Sequence, residues 1–291
     1  MSPMRLLALA RYLKRDRRLA IGLLIVGALA LLGPVGQLFV DEAGVRLGAG
    51  GFAEAPSAAH PLGTDTTGRD VLAMMVYGTP PTLAIGFLAG LIGTTVGVAL
   101  GLTAGYYRGP VDVVIRSLAD VLLTIPALAV LVVLAALFQT RTVELMAVVV
   151  ALFAWPWTAR AVRAQTLTMR EQGFVMIARL SGRSGPGILL FELLPNLIPY
   201  VMATFVAAVS GAILAAVGLQ LLGLGPITIP TLGLMLQNAF QYAAVVRGMW
   251  WWWGPPTLLL IALFVGLFLI SESLDAIANP RLKRPAEAAG R

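Results

Sequence analysis

Residues 83–104 read LAIGFLAGLIGTTVGVALGLTA, twenty-two residues without an Asp, Glu, Lys, Arg or His. About 20 apolar residues are enough for a helix to cross the hydrocarbon core of a bilayer. In lipid every backbone N–H and C=O must be satisfied within the segment, and a helix does that. This stretch therefore predicts a membrane-spanning helix. Within it and just beyond, Gly86, Gly90, Gly93, Gly97, Gly101 and Gly105 recur three or four residues apart. That spacing aligns them on one helix face, where a second backbone can come close. Packing inside a bundle is the plainer reading of such a stripe, and a pore lining is the sharper one.

Five further stretches have the same character: residues 19–40, 121–138, 145–159, 197–224 and 256–270. The fourth and sixth spans, 145–159 and 256–270, are short, so their ends are expected to extend into polar flanks. The first follows a basic segment without a small-residue cleavage site and reads as a retained anchor. The expected class is all-α: a polytopic membrane helical bundle of about six spans. Its parts are a cytoplasmic segment 1–18, a first span 19–40, an outer loop 41–81, a five-helix core 82–275 containing an inner loop 160–195, and a cytoplasmic tail 276–291.

Composition agrees. Of 291 residues, 58% are hydrophobic and 12% charged, against about 25% charged in soluble domains. The net charge of +7 suggests no nucleic-acid partner once its placement is followed. Seventeen of the 21 Lys and Arg residues fall in segments on one side of the spans. Only Arg46, Arg69, Arg141 and Arg247 fall on the other. The side richer in Lys and Arg is cytoplasmic, which puts both termini inside. The run Trp250-Trp251-Trp252-Trp253 is then expected in the outer interfacial belt.

What is missing narrows the function. The second, third and fifth spans contain no Asp, Glu, Lys, Arg or His, whereas ion-coupled carriers use intramembrane acids or histidines as relays. There is no cysteine and one histidine, His60, so no metal site or catalytic residue is expected. A phosphate-binding loop needs lysine after glycine. Lys14 and Lys283 follow Leu13 and Leu282. Uphill transport would have to be powered by a partner. A membrane scaffold or receptor without transport is the alternative from another class.

The inner loop carries Arg170-Glu171-Gln172-Gly173-Phe174-Val175-Met176-Ile177-Ala178-Arg179-Leu180-Ser181-Gly182, followed by Leu194-Pro195-Asn196. This resembles the "EAA" loop of ABC importer permeases. Three other stretches are similar to the second permease of dipeptide, oligopeptide and nickel importers. They are His60-Pro61-Leu62-Gly63-Thr64-Asp65-Thr66-Thr67-Gly68-Arg69-Asp70, the run Ala104 to Asp112 with Arg116, Asp120 and Pro126, and Leu222-Gly223-Leu224-Gly225. The resemblance implies a type I importer permease (MetI-like) fold in a prokaryotic plasma membrane and a role as half of a peptide pathway. It also implies partners: a homologous permease, two ATP-binding subunits carrying ATP and Mg, and an extracytoplasmic binding protein. Nickel chelates and oligosaccharides travel through similar permeases.

On this resemblance Glu171, Gly173, Phe174, Ala178, Arg179, Gly182 and Arg183 are the ATPase-coupling candidates, with Gly182 ending the coupling helix. His60, Gly63, Asp65, Gly68, Arg69 and Asp70 form an outer signature, read as a structural knot or a binding-protein contact. The chain departs from the pattern in places. Met176 and Ile177 stand where Glu-Ala is expected, and Glu192 where isoleucine is. Ala216 takes the place of an acidic residue, and Leu232 that of a tryptophan before Gly233.

Overall fold

The computed structural model describes residues 16–138 and 142–278. The N-terminal segment as far as residue 15, Arg141 and the tail from residue 279 lie outside the described residues. Those described are almost wholly helical. Five helices are long and apolar enough to cross a membrane, or six if one sharply bent pair is a single span.

Helix α1 (Arg17–Gly36) is capped by Asp16, whose carboxylate accepts from the Leu19 N–H at 3.3 Å. One side packs on the last helix: a carbon added at Gly22 would lie 2.8 Å from the Gly266 carbonyl oxygen. Leu24 and Leu31 face outward.

Helix α2 (Val71–Tyr107) is the centre of the bundle. Its 37 residues span about 55 Å at 1.5 Å per residue, longer than the bilayer core. It starts ten residues before the expected end of the outer loop, because Pro80 and Pro81 lie inside the helix instead of ending it. Each proline removes one backbone hydrogen bond. Thr79 and Thr82 donate to the Met75 and Gly78 carbonyls, both at 2.7 Å, on either side of the Val76 and Tyr77 carbonyls that lose their helical donors to the two prolines.

The third span is not continuous. Helices α3 (Gly109–Thr124) and α4 (Ala127–Leu137) meet at 86°. Pro126 disfavours helical backbone in the residue before it, and Ile125 is extended (φ −77, ψ 134). Hydropathy is blind to this break because both halves are apolar.

Helix α5 (Val143–Met169) runs ten residues past the apolar stretch. The inner loop 160–195 is therefore mostly helical: the end of α5, then α6 (Gly173–Leu180), then the start of α7 (Gly185–Leu221). A π-helical turn at Leu189–Leu193 lies near the start of α7. Polar residues continue a helix into water as readily as apolar ones, so hydropathy shortened these elements. Helix α8 (Leu232–Gln241) is short and largely buried. Helix α9 (Trp250–Ala278) starts at the tryptophan run.

The glycine stripe divides between two partners. Gly86 and Gly90 lie against Ile213 and Val209 of α7. Gly93, Gly97, Gly101 and Gly105 lie against Ala154, Thr158, Ala159 and Thr166 of α5. All six are buried. These seams make α2, α5 and α7 one tightly joined unit.

Candidate functional site

At one end of the bundle, α6 stands between two tight turns. Its C-terminus is closed by Gly182 at φ +75, with Gly182 N–H donating to Arg179 O at 3.0 Å and Arg183 N–H to Ala178 O at 3.1 Å. This pair of bonds satisfies carbonyls that a helix end otherwise leaves open, and it requires the left-handed backbone that glycine tolerates. Gly173 opens α6 into free space.

The eight residues have two faces. Val175 and Ala178 are buried, whereas Phe174 is 36%, Met176 62%, Ile177 65% and Leu180 83% exposed. An open cleft of about 590 Å³ beside them is lined by Phe174, Ile177, Ala178, Ser181, Gly182, Arg183 and Glu192. An outward apolar surface on so short a helix has no folding purpose within this chain.

The charged candidates have other partners. Arg183 is paired with Glu192 and lies 5.6 Å from the Phe191 ring centroid. Arg179 lies over the Tyr106 ring. Glu171 contacts Arg170 at 2.9 Å and Arg108 at 3.4 Å. Sequence reasoning missed two cross-helix pairs nearby. Arg163 of α5 grips Asp112 of α3 through two hydrogen bonds, the second at 2.6 Å. Arg160 lies 3.5 Å from Asp120. Residues 112 and 120 lie on one side of α3 and residues 160 and 163 near the end of α5, so opposite charge at similar depth was the available signal.

At the other end the outer signature is a compact knot. The carboxylate of Asp65, 3% exposed, accepts from the Thr67 N–H and hydroxyl, both at 2.7 Å, and from the Arg69 N–H at 2.9 Å. Asp70 caps α2 through the Ala73 N–H at 2.9 Å and meets His60 Nδ1 at 2.6 Å. Gly63 and Gly68 both have left-handed backbone. A side chain at Gly63 would strike the Glu54 carbonyl oxygen at 2.5 Å, and one at Gly68 the Gly50 carbonyl oxygen at 2.6 Å. Arg69 is half-buried and contributes its backbone to the knot. Among the described residues, no three of His, Asp and Glu converge as a metal site.

The tryptophan run is not uniformly interfacial. Four successive helix positions point in four directions. Trp252 is buried and stacks on Tyr242 at 6.2 Å. Trp251 donates its Nε1–H to Thr64 O at 3.2 Å, fastening the knot to α9. Trp250 remains largely exposed.

Between these ends, α4, α5 and α7 enclose a cleft of about 310 Å³ lined by small and apolar side chains, among them Ala127, Leu131, Phe153, Ala208, Gly211 and Ala215. Nearby, fully buried Gln220 accepts from the Thr231 hydroxyl at 2.5 Å. Thr231 caps α8, and the Thr82 hydroxyl accepts from Leu232 N–H at 3.0 Å. This polar node joins α2, α7 and α8. It carries no charge.

The bundle thus combines helices of membrane length with one short helix whose apolar face is exposed. Residues 97–284 match the family of binding-protein-dependent transport system inner membrane components. The chain belongs to this family. It is a membrane permease subunit and not an enzyme. The permease is similar to the dipeptide transport system permease protein DppC of Alkalihalophilus pseudofirmus, at 28% identity over 94% of this chain and 89% of that protein. It is 32% identical to the glutathione transport system permease protein GsiD of Pectobacterium atrosepticum, over 79% and 76% of the two chains. It is 29% identical to the oligopeptide transport system permease protein OppC of Lactococcus lactis subsp. cremoris, over 76% of each.

Proposed function

We propose that this permease forms half of a pathway importing short peptides across a prokaryotic plasma membrane, with both termini in the cytoplasm. A homologous permease supplies the other half. Two ATP-binding subunits, which hold ATP and Mg, dock on the cytoplasmic side, and an extracytoplasmic binding protein delivers the solute. The names of the three relatives support the peptide class.

The observation that carries the reading is the outward apolar face of α6. A helix laid in a partner's groove anchors through side chains such as these. Because Glu171, Arg179 and Arg183 are engaged within the chain, they brace the helix, and Phe174, Met176, Ile177 and Leu180 make the contact. ATP-driven closure of the partner then moves α6, and the bundle alternates between inward and outward access around the cleft at Gly211. The outer knot holds the start of α2 rigid under the binding protein.

Co-purification of the assembled importer in mild detergent tests this. The unaltered chain is expected to bring down ATP-binding subunits. Ile177→Glu, which places a charge in the contact, is expected to lose them while keeping the partner permease. Retention of the ATP-binding subunits by Ile177→Glu and by Phe174→Glu would refute the docking face.

A further inference from the structure

The inner end of α2 is held from several sides at once. Arg170, just past α5, donates from Nη1 to the Tyr106 carbonyl at 2.6 Å. That carbonyl is among the last four of α2, which have no partner within a helix, and a cation there complements the helix dipole. The Arg170 side chain is only 16% exposed, so water competes little for the bond. Arg179 of α6 places its guanidinium carbon 5.1 Å from the centroid of the Tyr106 ring, a cation–π distance. Glu171 bridges Arg170 to Arg108. At the start of α7, a carbon added to Gly185 would lie 2.5 Å from the Tyr107 hydroxyl. The end of α5, the end of α6 and the start of α7 thus converge on three residues, Tyr106 to Arg108.

We infer that Arg170 and Arg179 make Tyr106 the joint through which a displacement of α6 reaches α2. They are positioning residues for transport, and the inference rests on the docking of α6 proposed above. Coupling between distant sites can be carried by packed side chains and rigid secondary elements, and α2 is such an element. Its glycines bring it into close contact with α5 and α7, so a displacement of α2 presses on both. A push on α6 that reaches Tyr106 is therefore delivered to the walls of the cleft at Gly211.

The chain has no cysteine, and a side chain at Gly211 meets nothing within 4 Å, so Gly211→Cys adds a single reporter thiol. Its reaction rate with a maleimide is measured in the complete importer, assembled with cysteine-free partners, without nucleotide and with ATP plus vanadate. Nucleotide is expected to change that rate in the reference complex. In Arg170→Ala and Tyr106→Ala the change is expected to shrink about tenfold, within the usual range of coupling between sites, while the ATP-binding subunits stay attached. Tyr106→Phe keeps the ring under Arg179 and is expected to restore the response. An undiminished response in both alanine variants overturns the inference. So does loss of the ATP-binding subunits from both, since the residues would then hold the docking helix and not transmit its motion. A reference complex without ATP-binding subunits, or without any nucleotide response, fails the proposed function instead. If Arg170→Ala does not accumulate, Tyr106→Ala decides alone, since it removes only a ring.

Discussion

Replacing Gly101 by alanine puts the central seam to a direct test. The added carbon would lie 2.6 Å from the Ala159 carbonyl oxygen, 2.9 Å from Val162 Cβ and 3.1 Å from the Arg163 nitrogen. Ordinary contact starts at 3.4 Å, so the closest approach is short by about 0.8 Å, and a gap of that order forfeits a quarter to a half of the dispersion between facing atoms. Two of the three obstacles are backbone atoms of α5, which cannot rotate away. The helices must separate, and Gly97 and Gly105 share the same seam. Overpacking of this kind costs about 1–3 kcal/mol. Alanine gains about 0.5–1 kcal/mol over glycine within a helix, leaving a net loss of up to about 2.5 kcal/mol, centred near 1. At about 2–4 °C per kcal/mol, the melting midpoint should fall by a few degrees. Gly27→Ala is the control, since nothing lies within 4 Å of its added carbon, and it should melt at or above the unaltered protein. The assay is thermal unfolding in detergent, followed by the fluorescence of the six tryptophans. If Gly101→Ala melts with Gly27→Ala, α2 and α5 are not in the close contact described, and the coupling inferred from it fails.

Asp65→Ala should leave the Thr67 and Arg69 N–H groups unpaired, at about 1–3 kcal/mol for each buried donor. Limited proteolysis should then cut residues 41–70 well before the bundle unfolds. Trp251→Phe keeps the ring near Gly63 but drops the bond to Thr64 O, a loss of about 1 kcal/mol that should appear as a small fall in the same melting midpoint. Thr231→Val removes the cap of α8, about 1 kcal/mol, and also strips Gln220 of its hydroxyl donor. It should destabilise more than Thr142→Ala, which removes only the exposed cap of α5; equal midpoints would mean that the buried node adds nothing.

Much of this was legible in the chain itself. The uninterrupted apolar runs announced membrane helices because lipid leaves no other home for that much uncharged backbone. The glycine spacing announced close packing, since only a bare face admits a second backbone. The absence of acids and histidines from residues 83–104, 121–138 and 197–224 argued against an ion-coupled carrier. The segment from Arg170 to Gly182 predicted a short helix ending at Gly182, because a helix stop leaves a local signature.

Folding alone decided matters that depend on neighbours distant in sequence. Pro80 and Pro81 read as a boundary, yet α2 runs through them. Pro126 read as part of a span, yet the residue before it is extended and the span breaks there. The charges of the hairpin read as contacts for a partner. Within the chain they also meet Tyr106, Glu192 and Arg108, and no local pattern reveals which ring or carbonyl a long arginine will reach. Periodicity and composition fix how each segment behaves in lipid or water. Which segments meet is set by the packing of all of them together.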